Sequence, residues 1–140
     1  MSGRGAQNHL DAVLDELSRW PEGTPPERLR WFLEQALRHA RADQRSYRLY
    51  LSLALQPATQ SMVLEEVERR PAGFAVLDRD LTRIFSALGH QEPDTEALVV
   101  RATVDGLIQY LLMAPDDFPI EEAVSRMMVP HGAHGSGARR

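Results

Sequence analysis

Apolar residues recur three and four positions apart along almost the whole chain, and no stretch alternates long enough to read as a strand. This spacing predicts an all-α protein, a single compact domain of about seven helices. The first, Asn8 to Trp20, sets Leu10, Val13, Leu14, Leu17 and Trp20 on one face, with Asn8 as N-cap and Pro21 and Gly23 as stop. The second opens with a capping box: Thr24 caps, Pro25 takes the first helical position, and Glu27 sits three residues after the cap. Its stripe is Leu29, Phe32, Leu33, Ala36, Leu37 and Ala40, with Trp31 well off it and Glu34 and Arg38 paired on the wet side.

The third helix, Asp43 to Gln56, is apolar nearly all round and is expected at the domain centre. A weakly patterned fourth spans Ala58 to Arg70 and is broken by Pro71 and Gly73. The fifth, Phe74 to Leu88, ends at Gly89. The sixth, Asp94 to Met113, is capped by Asp94; the seventh starts at Pro119 and carries Ile120, Ala123, Val124, Met127 and Met128 on one side. Residues 1–7 and 130–140 are rich in Gly, Ser, His and Arg, which predicts disorder outside a domain at 8–129.

The sixth helix has two apolar faces. At about 100° per residue, Ala97, Val100, Val104, Leu107, Ile108 and Leu111 share one side. Val99, Ala102, Thr103, Gly106, Tyr110 and Met113 share nearly the opposite side, and a narrow strip with Arg101, Asp105 and Gln109 is polar. Arg101 and Asp105 can pair at i,i+4. Glycine inside a helix costs about 1 kcal/mol relative to alanine, so Gly106 is placed for close approach of another backbone. Two arrangements satisfy this pattern: close packing within the subunit, or a homodimer in which the last two helices of each subunit form an intermolecular four-helix bundle. The interface residues would then be Val99, Ala102, Thr103, Gly106, Tyr110, Met113, Ile120, Val124 and Met127.

Composition narrows the function. Cysteine is absent, which excludes disulfides and thiolate chemistry and suits a reducing compartment. Net charge is −4, without the basic surface that phosphate contacts require, so these residues are not expected to bind DNA themselves. No apolar run reaches the roughly 18 residues of a membrane span, and residues 1–7 do not form a signal peptide. His9, His39, His90, His131 and His134 show no metal-ligand spacing, and no phosphate loop or catalytic triad can be assembled, so neither a metal, a cofactor nor an enzyme is expected. Glu65, Glu66, Asp78 and Asp80 read as solvated helix surface.

The stretch from Leu98 to Ala123, with Asp105-Gly106 inside a long helix followed by the turn Ala114-Pro115-Asp116-Asp117, resembles the C-terminal domain of TetR-type transcriptional regulators. Arg45 to Pro57 resembles that family's central helix, and His9 to Leu17 is similar to the helix following its DNA-reading module. The resemblance implies a cytoplasmic homodimer that senses a small apolar effector and contacts DNA only through an N-terminal domain missing from this chain. An effector pocket of this kind would be lined by Trp31, Phe32, Tyr47, Tyr50, Met62 and Phe74; the same aromatic residues can equally fill a core. The alternative function is a standalone helical interaction or scaffold domain without a ligand.

Overall fold

The computed structural model describes residues 12–55 and 71–131, and among them no strand occurs. They hold α1 (residues 12–17), α2 (Pro25–Ala42), α3 (Gln44–Leu55), α4 (Pro71–Ala87), α5 (Pro93–Met113) and α6 (Ile120–Met128), followed by a 3-10 turn, Val129–His131. The helix expected at 58–70 lies outside the described residues.

The start of α2 follows from its sequence. The Thr24 hydroxyl accepts from the Glu27 N–H at 3.3 Å, and the Glu27 carboxylate accepts from the Thr24 N–H at 2.8 Å. Two of the unpaired donors at the helix start are thereby satisfied. The carboxyl of Glu27 is held below its usual range by these bonds to Thr24. Pro93 likewise takes a first-turn position at the start of α5, where the missing N–H costs nothing. Asp94 lies inside the first turn of α5 rather than capping it; Glu92 is the cap residue and makes no side-chain cap bond.

The core is built on α2. Leu29, Phe32, Leu33, Ala36, Leu37 and Ala40 are all buried along one stripe. Against it pack Leu77, Leu81, Ile84 and Phe85 of α4, Ala97, Val100, Val104, Ile108, Leu111 and Leu112 of α5, and Ile120, Val124 and Met128 of α6. Leu17 of α1 closes one end. Burying a side chain such as Leu33 contributes about 1.5–3 kcal/mol relative to leaving it exposed.

Of the apolar residues expected to bury α3, the side chains of Tyr47 and Leu49 are described and both are half-buried, while those of Tyr50, Leu51, Leu53, Ala54 and Leu55 lie outside the described residues. Among the described residues the central place belongs to α2, whose stripe is covered by three other helices.

Polar contacts fasten the periphery. Trp20 donates its indole N–H to Asp80 at 2.9 Å and packs on Trp31 and Phe32. Arg101 pairs with Asp78 across α4 and α5. Both aspartates, read as solvated surface, thus join helices. Arg48 donates to the Leu112 carbonyl, while Arg41 donates to the carbonyls of Pro115 and Phe118. The last turn of α5 contains no basic residue of its own. Arg48 of α3 serves one of its last carbonyls instead, and Arg41 of α2 serves those of the turn beyond it.

Chemical denaturation should show these contributions separately. Leu33→Ala is expected to cost about 2–5 kcal/mol because the site is sealed on all sides. Thr24→Ala is expected to cost about 1 kcal/mol through the lost cap. Equal effects of the two substitutions would contradict the packing described.

Candidate functional site: the outer face of α5

The hydrophobic face of a helix is identified by what covers it. The inner side of α5 is in the core, as its sequence pattern predicts, with Leu107 half-buried at its margin. Its outer side is bare. Val99 is 53% exposed, Tyr110 67% and Met113 78%. Ala102 and Thr103 are exposed and Gly106 is half-buried between them. Leu98, which the pattern assigned to neither face, is 66% exposed beside this strip. Large apolar side chains aligned on one helix face mark an interaction surface more strongly than the same residues scattered singly.

Two details make the strip smoother and less polar. The Thr103 hydroxyl donates to the Val99 carbonyl at 2.8 Å, which removes it from competition for water. A Cβ built on Gly106 meets nothing within 4 Å, so no neighbour in the subunit requires glycine there.

The other expected interface residues lie elsewhere. Ile120 and Val124 are in the subunit's own core, 5% and 0% exposed, and Met127 is half-buried against it. The apolar side of α6 is needed to cover α2, which removes it from any contact between subunits. Arg101, expected to pair along its helix with Asp105, forms its ion pair with Asp78.

Of the expected pocket residues, the side chains of Trp31, Phe32 and Tyr47 are described. Phe32 is core, and Trp31 is half-buried on Trp20, ring centroids 5.5 Å apart. Met62 and the side chains of Tyr50 and Phe74 lie outside the described residues. An open groove of about 330 Å³ runs along Arg38, Arg41, Pro119, Ile120, Glu121 and Glu122, none of which belongs to the expected set.

Tyr47 does occupy a distinctive environment. It packs half-buried against the core near the carboxylates of Asp105 and Asp43. Burial, reinforced by those two charges, pushes its phenol up to about 12. Asp105 is exposed by area, yet desolvation raises its carboxyl against the opposing pull of Arg101.

Sequence spacing offered no partner for any histidine, whereas the fold brings two together. His90 Nε2 and His131 Nδ1 are 3.1 Å apart, and Glu96 Oε2 is 3.7 Å from His90 Nδ1. Pro130 and His131, expected in a disordered tail, belong to the 3-10 turn, with His131 buried; the rest of that segment lies outside the described residues. No local pattern signalled this cluster, because its members come from three separate elements.

The tyrosine environment sets an alkaline limit. A group whose folded pKa is raised keeps its proton while the unfolded chain loses it, so stability falls as pH rises from about 10 toward 12. An ultraviolet titration should show a tyrosine step near pH 12, and Tyr47→Phe should remove that step. A titration with no step above the ordinary tyrosine range would contradict it. Among known proteins, no family model, curated protein or solved structure matches this chain.

Proposed function

We propose that the chain is a homodimerisation domain joined through the outer face of α5, and that it serves as the effector-sensing and dimerising half of a TetR-like regulator. The observation that supports this is the bare apolar strip of Val99, Ala102, Gly106, Tyr110 and Met113 on the longest helix.

The strip is self-complementary. Gly106 lies seven residues from both Val99 and Met113, so a two-fold axis passing beside it sets two α5 helices antiparallel. Val99 then faces Met113 of the partner subunit, and Ala102 faces Tyr110 of the partner subunit, small against large. Ala102 and Gly106 let the axes approach the close end of the usual 8–10 Å. Because α6 covers its own core, the contact is an α5 pair rather than the four-helix bundle expected from sequence. The regulatory part of the reading rests on the resemblance of 98–123 and 45–57 to TetR-type domains. DNA would be read by an additional N-terminal module.

A second reading, a helical interaction domain without a ligand, gains weight from one observation: the groove at Arg38 and Glu121 involves none of the expected pocket residues. A helix-turn-helix encoded upstream in the same reading frame would favour the regulator.

Light scattering after size exclusion tests the dimer. The expected mass is near twice 15.8 kDa. Gly106→Leu should shift it toward monomer while leaving the fold intact, since the subunit has space at that position. Mixing Val99→Cys with Met113→Cys chains should form a crosslinked heterodimer on oxidation; the natural chain has no cysteine to interfere. A monomeric wild type across the micromolar range would overturn the proposal.

A further inference from the structure

The proposed dimer surface does not include the cluster of His90, Glu96 and His131, where three short-range devices converge. The first is the end of α4. His90 donates its N–H to the Phe85 carbonyl at 3.1 Å and Gly89 donates to the Ser86 carbonyl at 3.0 Å, while Gly89 has φ +91°. This is the Schellman arrangement, which needs a residue tolerant of positive φ and directs the following side chain back onto the helix. His90 accordingly packs edge-on to Phe85, centroids 5.5 Å apart. The second is the first turn of α5, which carries Glu96. The third is the turn after α6, which presses His131 against the same phenylalanine at 5.0 Å.

One ligand atom each from His90, Glu96 and His131 lies within 4.8 Å of the other two. Two imidazole nitrogens about 2.0–2.1 Å from a tetrahedral ion stand about 3.3 Å apart. His90 Nε2 and His131 Nδ1, at 3.1 Å, are close to that separation. With His90 binding through Nε2, its Nδ1 faces Glu96, and a carboxylate in this position orients a metal-bound imidazole or joins the ion directly.

We propose that His90, His131 and Glu96 form a binding site for one divalent transition-metal ion of the zinc class. Two imidazoles with one carboxylate suit zinc, nickel, copper or iron(II), not magnesium or calcium, whose ligands are oxygens. The carboxylate and His90 are partly exposed, so the remaining coordination position faces water. The ion would tie the turn after α6 to the end of α4 and the start of α5.

Titration of the full chain with zinc chloride, followed by calorimetry, tests this. One ion per chain is expected. Glu96→Gln should weaken it at least about tenfold, and His90→Gln should abolish it. Both positions are partly exposed, and circular dichroism checks that each variant retains its helices. His39→Gln, on α2 and outside the cluster, should bind as the wild type does. Cobalt(II) should give a visible ligand-field spectrum in the wild type and lose it in His90→Gln. A wild type that takes up no zinc at micromolar concentration, or folded cluster variants that bind as well as the wild type, would overturn the proposal.

Discussion

The structure depends on the need to cover the apolar stripe of α2. That stripe is continuous from Leu29 to Ala40, and α4, α5 and α6 are all committed to sealing it. With three helices already against it, α5 has room to turn only one of its two apolar faces inward. The other remains at the surface because the interior is full. The bare strip is thus a consequence of how the core closes, rather than a local irregularity of α5. The same constraint explains why α6 offers nothing to a partner, since Ile120, Val124 and Met128 are fully occupied.

The side chains that hold this arrangement are disproportionately arginines reaching between helices. Arg41 and Arg48 serve carbonyls at and beyond the end of α5, and Arg101 fastens α5 to α4 through Asp78. Contacts to backbone carbonyls fix a helix end in direction as well as position. By contrast, Arg38 approaches Glu34 and Glu121 at 3.6 Å on the surface, where water screens the attraction and the contribution is small. Among the described residues, it is the partly buried guanidinium contacts that fasten α5 to its neighbours, rather than the surface pairs.

Features generated by near neighbours in the chain were legible in the sequence. The Thr24 and Glu27 capping box, the stripe of α2, the stop at Gly89 and the two faces of α5 all follow from spacings of a few residues. Competition between elements was not legible. Periodicity marked the stripe of α2, but could not show that three other helices would close over it. It placed Ile120 and Val124 on an apolar face without showing which surface that face would meet. The histidine cluster was hidden for a related reason. His90 and Glu96 are separated by a helix stop and a helix start, and His131 is 35 residues beyond Glu96. Only tertiary closure makes them neighbours. Trp31 was the opposite case: its position off the stripe was evident, but its use as a stacking partner for Trp20 required the α1–α2 corner to form.

That corner also determines what the molecule reports about itself optically. The chain contains two tryptophans, and both rings sit in one cluster with Phe32, the Asp80 carboxylate and the Arg28 guanidinium 5.5 Å over Trp20. Intrinsic fluorescence is consequently a local probe of the junction among α1, α2 and α4. The indoles are coupled to each other and to a charged neighbour, so their emission follows loosening of this corner before anything else. Neither lies on α5 or α6, which makes tryptophan emission a poor witness to events on those helices and a selective one for the opening of the chain's first fold.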